Sequence, residues 1–250
     1  TFRKYFRGGK SMSHFRNRRL VTDAVAAKKY ILKMRLLRGL VGTILVFLLS
    51  GYIAVSLYSK FGSLTISINK FESTQYSLTL SETRDFKELS ATIAAKEVPD
   101  ITNISGAELP ADLDSIDGQH NGKNYFAYTF YLLNNGENTL SYEYQMVLSN
   151  VTNDVDKAIR IRLYVDGTPT TYARTRSDGT GPEPDTTEFR TTSVVMNDFK
   201  ADFKPGNFTK FTVVIWIEGD DPNCTDELIG GDLKCEMKFS VIEDVRSSQE

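Results

Sequence analysis

Only two histidines occur in the 250 residues, His14 and His120, so acid–base chemistry near neutral pH has few candidates. His14 lies in a basic stretch with no acidic cluster beside it. His120 sits in the turn-rich run Asp114-Ser-Ile-Asp-Gly-Gln-His-Asn-Gly122, where an exposed polar side chain is the expected role. The chain contains no Gly-x-Ser-x-Gly elbow, His-Glu-x-x-His helix, Walker loop or Gly-x-Gly-x-x-Gly fingerprint. No catalytic residue is therefore assigned, and the chain is read as a non-enzyme.

The oxygen ligands give the other chemical candidates. Asp112-x-Asp114-x-x-Asp117-Gly118 resembles the start of a calcium-binding loop, but its third acid comes one residue late, and Lys123 stands where the closing Glu belongs. A second cluster holds Asp220, Asp221 and Asp226. These six aspartates are weak calcium candidates, each read first as part of a solvated acidic turn, and no cofactor is assigned. Two cysteines, Cys224 and Cys235, flank ten residues that include the flexible pair Gly230-Gly231. In an oxidising compartment they are expected to form a disulfide, contributing roughly 2–3 kcal/mol by shortening the unfolded chain.

That compartment follows from the charge pattern. The formal net charge of −2 conceals a split: residues 1–38 hold 12 Lys/Arg and one acid, Asp23, whereas residues 61–250 hold 17 basic and 31 acidic residues. Between them, Gly39 to Ser59 runs 21 residues without a charge. This is the length a helix needs to cross a hydrocarbon layer of about 30 Å, and it excludes a plain soluble globular enzyme. A secretory signal peptide, cleaved near Ala54-Val55-Ser56, is the rival reading. The 38-residue head and 21-residue core exceed what such peptides use. The expected organisation is a basic cytoplasmic head (1–38), an uncleaved transmembrane helix (39–59) and an extracytoplasmic domain (60–250). The positive flank sets that orientation.

Within the head, Lys28, Lys29, Lys33, Arg35 and Arg38 are placed to meet anionic lipid, at roughly 1 kcal/mol each near the surface. Leu20, Ala24, Ala27, Ile31 and Met34 recur at spacings of 4, 3, 4 and 3, which lines one helical face as a packing seam for a protein partner. Nucleic acid is not an expected partner, because no recognition motif accompanies the interleaved cations and aromatics of residues 2–7.

Beyond residue 61 the apolar period changes to two. Leu64, Ile66 and Ile68 alternate with polar residues, as do Tyr142, Tyr144, Met146 and Leu148, and Ile159, Ile161 and Leu163 against Arg160 and Arg162. Further alternating runs are Tyr76 to Leu80, Phe211 to Ile217 and Met237 to Val241, while Tyr125–Leu133 is apolar on both faces and belongs centrally. Asn134-Asn135-Gly136, Asp166-Gly167, Pro205-Gly206 and Gly230-Gly231 supply the turns. Seven or more such strands predict a mainly β domain, an antiparallel β-sandwich of jelly-roll or Ig-like type. Residues 82–122 are polar, with a short helix expected at 91–96, and residues 177–192 read as an exposed loop. The loops around 105–122 and 177–192 are where binding is expected to reside.

The strand ending in Tyr125-Phe-Ala-Tyr-Thr-Phe-Tyr-Leu-Leu-Asn-Asn-Gly136, the runs Ala158–Gly167 and Val214–Cys224, and the turn Phe203-Lys-Pro-Gly206 carry a resemblance. Over residues 62–243 the chain resembles membrane-anchored outer proteins of Gram-positive bacteria, and distantly the camelysin and biofilm-matrix-fibre family of secreted sandwiches. The resemblance implies a jelly-roll-like sandwich, a structural or surface-assembly role and a Gram-positive source. The long basic head and uncleaved span depart from that family, which goes against free fibre formation. The resulting expectation is a non-enzymatic single-pass membrane protein, a subunit or anchor of a larger complex with protein partners. The alternative is a ligand-binding module for glycan or calcium, with Tyr142, Tyr144 and Trp216 as stacking surfaces unless they pack in the sheets.

Overall fold

From Met12 to Tyr58 the chain forms one continuous helix, α1. The run contains no proline and is rich in Leu, Ala, Arg and Lys, which lose little rotamer freedom in a helix. The computed structural model describes residues 12–58, 64–96, 98 and 101–242, with side chains described for 28–51 and, within those ranges, from Leu64 onward. The chain divides into two units, Thr1–Tyr58 and Ser59–Glu250.

In the first unit, the lipid-facing candidates Lys28, Lys29, Lys33, Arg35 and Arg38 are all exposed. Of the expected seam, Ile31 is exposed and Met34 half-buried, while the side chains of Leu20, Ala24 and Ala27 lie outside the described ones. His14 lies outside them too. From Leu36 to Leu49 the large apolar residues are exposed, and the six consecutive positions Ile44 to Leu49 pass more than once around the axis. Side chains of the expected span are described only as far as Gly51. Within the described residues, no helix is long and apolar enough to cross a membrane.

The second unit is mainly β. Its strands are β1 (Leu64–Ile68), β2 (Leu78–Ser81), β3 (Thr92–Ala94), β4 (Gly118–Gln119), β5 (Tyr125–Asn134) and β6 (Leu140–Val151). They continue as β7 (Ile159–Val165), β8 (Thr168–Ala173), β9 (Thr187–Glu188), β10 (Val194–Phe203), β11 (Phe208–Ile217) and β12 (Leu233–Ile242). One sheet runs β10-β6-β12-β1-β3; the other runs β2-β5-β11-β7-β8-β9, with β4 against β5. The period-two residues explain the pairing. Leu64, Ile66 and Ile68 point into the same core as Tyr142, Tyr144 and Met146 of β6 and Phe211 and Val213 of β11. Asp166 and Gly167 both take positive φ, +50° and +88°, the two-residue turn that matches the twist of the antiparallel pair β7–β8.

Three expectations are corrected here. The sheets are mixed, not purely antiparallel: β12 inserts between β6 and β1 and runs parallel to β1, and β8 runs parallel to β9. Residues 92–94 are a strand, β3, because Ile93 is drawn into the core opposite Ile66, which overrides the alanines' helix preference. Tyr76 ends a short helix, α2 (Lys70–Tyr76), whose start is capped by the Asn69 side chain accepting from the Phe71 N–H at 3.1 Å.

Between the sheets, Phe130, Tyr142, Phe203, Phe211 and Phe239 interlock. Phe211 lies 5.4 Å from Phe130 and 5.2 Å from Phe239, ring centroid to centroid. Tyr142 is fully buried yet satisfied, donating to Thr209 Oγ1 at 2.7 Å. It and Tyr144 pack in the core, so neither offers a stacking surface.

Strands β5 and β11 are covered on their outer faces as well. Ala127, Val214 and Trp216 form a smaller cluster with Leu113, backed by Ile104 and Leu109 from residues 101–117, which lie across the seven-stranded sheet. Truncating Phe211 to Ala should remove aromatic contacts to both sheets and cost about 3–5 kcal/mol. A leftward shift of the urea midpoint at unchanged slope would report that loss; an unshifted midpoint would contradict the packing.

Candidate functional site

Because Ile159, Ile161 and Leu163 of β7 face the core, Arg160 and Arg162 must face the other side of the sheet. There Arg160 stands beside Trp216 of β11 in register, and Arg162 opposite Thr171 of β8. Two loops close over this floor without meeting. Residues 105–107 cover it from one side, residues 176–186 from the other, and a cleft of about 800 Å³ remains between them. That volume is in the range of small-ligand sites, roughly 300–1,000 Å³.

The cleft is built on buried charge. Arg160 donates from Nη2 to Asp221 Oδ2 at 2.7 Å and lies 3.6 Å from Glu183 Oε2; all three are buried. Arg176 Nε is 3.8 Å from the same Glu183 oxygen, so two cations face two carboxylates. Asp221 Oδ1 also accepts from the Asn223 backbone N–H at 2.7 Å and side chain at 2.9 Å. An ion cluster taken out of water is tolerable only when completed in this way. It ties together β7, the turn after β11 and the 176–186 loop.

The opposite wall is fixed by Glu218. Its Oε2 accepts from Trp216 Nε1 at 2.9 Å and from the Gly106 N–H at 3.1 Å. A Cβ at Gly106 would come within 3.0 Å of Glu218 Oε2 and 3.1 Å of the Trp216 ring, so any larger residue would have to push these groups back by a few tenths of an ångström. Arg162 stacks over the Trp216 ring at 5.1 Å and donates from Nε to Thr171 Oγ1 at 3.0 Å, which holds its guanidinium plane. At the rim, the Thr180 hydroxyl and N–H bond Asp178 and hold its carboxyl below the usual range.

The sequence candidates are dispersed. Asp114 accepts from Lys210 Nζ at 2.6 Å and Thr212 Oγ1 at 2.8 Å, and Asp117 from the Tyr131 hydroxyl at 2.6 Å. Asp112 precedes a 3₁₀ turn, and Asp226 opens another. Asp220 accepts from the Ser105 hydroxyl at 2.9 Å, and with Asp221 it lines the cleft. Among the described residues, no group of three His, Cys, Asp or Glu side chains could hold a metal ion. His120 is half-buried and not exposed as expected, with Nδ1 2.8 Å from the Gly118 carbonyl.

The expected disulfide is absent: Cys224 and Cys235 are both free thiols. Cys235 belongs to the inward row Cys235-Met237-Phe239 of β12, whereas Cys224 sits in the turn after β11, on the other sheet, accepting from Asn103 Nδ2 at 3.2 Å. Burial pushes the Cys235 thiol up to about 12. Of the two predicted binding loops, both contribute walls, but 177–192 is not wholly exposed: Glu183 and Phe189 are buried. The arginines were missed because Arg160 and Arg162 read as the solvent face of a half-buried strand. The available signal was Trp216 followed by Glu218 on the neighbouring strand's outward face, which is an unusual exposure for tryptophan.

Two outcomes are expected. Arg160→Met leaves Asp221 and Glu183 facing each other without their main cation, and should cost about 3–5 kcal/mol in chemical denaturation. In a double-mutant cycle with Asp221→Asn, the two losses should be strongly non-additive; additive losses would mean the pair is not coupled. Mass spectrometry after maleimide treatment of native protein at pH 7, without reductant, should find one label, on Cys224. A second label should appear only on denaturation, and no label in either state would indicate a disulfide.

No family model matches the chain, and no curated protein matches it. Among solved structures, a β-glucosidase from Kluyveromyces marxianus is similar at 11% identity and a TM-score of 0.26, over 67% of this chain and 17% of that one. The same enzyme in complex with glucose gives 10% identity and a TM-score of 0.24, over 67% and 16%. The chain thus spans less than a fifth of those proteins' length, and likeness at this level carries no argument about fold or activity.

Proposed function

We propose that this chain is a non-enzymatic single-pass membrane protein that holds its β domain outside the membrane as a subunit or anchor of a larger complex or surface assembly. The observation that carries this reading is the apolar surface of α1. Large side chains from Leu36 to Leu49 are exposed on all sides, directly after five exposed cations. A helix apolar all round is stable only in lipid or inside a bundle. The cations fix its N-terminal end on the cytoplasmic side, against anionic headgroups. The non-enzymatic reading is carried over from the sequence, which holds no recognised catalytic motif, and in the cleft Asp221 and Glu183 are engaged by Arg160 as structural ties. Gram-positive origin and kinship with anchored outer sandwiches remain part of the same proposal.

A second reading, of the outer domain as a ligand-binding module, is favoured by the cleft itself, whose walls are fixed by buried bonds and whose volume suits a small ligand. The anchor reading is tested in the native membrane. The chain should stay in the pellet through alkaline carbonate extraction and enter solution only with detergent. In mild detergent it should then run with co-purifying chains at fixed stoichiometry. Release by carbonate would remove the membrane span, and a lone monomer in detergent would remove the assembly role.

A further inference from the structure

We propose that the cleft between residues 105–107 and 176–186 binds a hydroxylated carboxylate of the uronic acid class, its carboxylate taken by Arg162. This rests on the reading of the outer domain as a ligand-binding module and is independent of the membrane anchor. Arg162 is the arginine of the cleft floor whose terminal fork is left open. Its Nε is occupied by Thr171 and its face by Trp216, but its two terminal amino groups have no hydrogen-bond or ion-pair partner among the described residues. A guanidinium locked in plane with its fork unoccupied is preorganised for two parallel bonds to a carboxylate. Arg176, part-exposed across the cleft and only 3.8 Å from Glu183, adds a second positive group at the mouth.

The same geometry narrows the ligand. Trp216 is 2% exposed, its ring covered by Arg162 and Gly106, so it cannot serve as the platform on which neutral sugars stack. Recognition must then come from charge and hydrogen bonds. Three arginines line the cleft against six carboxylates; Glu183 and Asp221 belong to the buried ion cluster, Glu218 is held by Trp216 and Gly106, and Asp178, Asp185 and Asp220 stand outside both. A dense polyanion would be repelled by that acidic surround, whereas a single carboxylate ringed by hydroxyls meets one free cation and several acceptors. A sugar acid has this distribution of charge.

The test uses the full chain in detergent micelles and calorimetric titration with galacturonate, which carries one carboxylate. The comparison ligands are its methyl ester, which keeps the hydroxyls but loses the charge, and glucose 6-phosphate. The acid should bind at least about tenfold more tightly than the ester or the phosphate. Arg162→Gln should lower its affinity by about tenfold or more at an unchanged melting temperature. Thr171→Val, which frees the guanidinium without removing it, should give a smaller loss and covers the case in which Arg162→Gln does not fold. Equal binding of acid and ester would overturn the carboxylate assignment and leave a ligand-binding module. Tighter binding of the phosphate, or full affinity in Arg162→Gln, would also overturn it. Binding of none of the three at millimolar concentration would sink both the assignment and the ligand-binding reading.

Discussion

Strand β11 has to bury two faces, and most of the outer domain follows from how it does so. Its inward residues, Phe211, Val213 and Ile215, close the core between the sheets, while Val214 and Trp216 point away from that core and are nonetheless apolar. A sandwich of two sheets offers cover on one side only. The chain supplies the other cover with residues 101–117, which bring Ile104, Leu109 and Leu113 over the outer face. Once that segment is in place, the outward side chains of β7 lie beside a wall instead of open water. The cleft lies where this cover, through residues 105–107, meets the floor opposite the 176–186 loop.

Charge inside that cleft is handled by completion, not by exposure. Arg160 could not remain buried against the sheet alone, and Asp221 and Glu183 could not remain there without it. Each arrives from a different part of the chain, so forming the cluster also fixes where the turn after β11 and the 176–186 loop must sit. Lys210 plays a similar part nearby, bonding both the carboxylate and the carbonyl of Asp114 at 2.6 Å. The acids of the outer domain are therefore unequal, some spent as internal ties and others left at the rim.

Much of this was legible in the alternation of residue types. The rows of β1, β6, β7 and β12 read directly as strands, and the double-sided run of Tyr125–Leu133 marked β5 as a central strand, which its pairing between β2 and β11 bears out. What was not legible were the covers. Residues 101–117 carry their apolar contacts at Ile104, Leu109 and Leu113 with no helical or strand period, so nothing local separates them from an exposed loop. The cysteines show the opposite case. The signal was present, because Cys235 continues the inward row of Met237 and Phe239, but proximity in sequence and compartment chemistry outweighed it. For the cleft, the sequence marked both loops and neither arginine, since a strand's outward face can be recognised as covered only when its cover is known.

Among the described residues, the outer domain's first and last strands lie side by side and run the same way, paired from Leu64 with Cys235 through to Ile68 with Phe239. The chain therefore enters this pair at one end and leaves it at the other. Tension drawn between those two exits would act along the strands, loading all five paired positions together in shear. An antiparallel closing pair pulled from adjacent ends would instead open bond by bond, like a zipper. By its connectivity alone, the fold is arranged to resist being stretched along its own length.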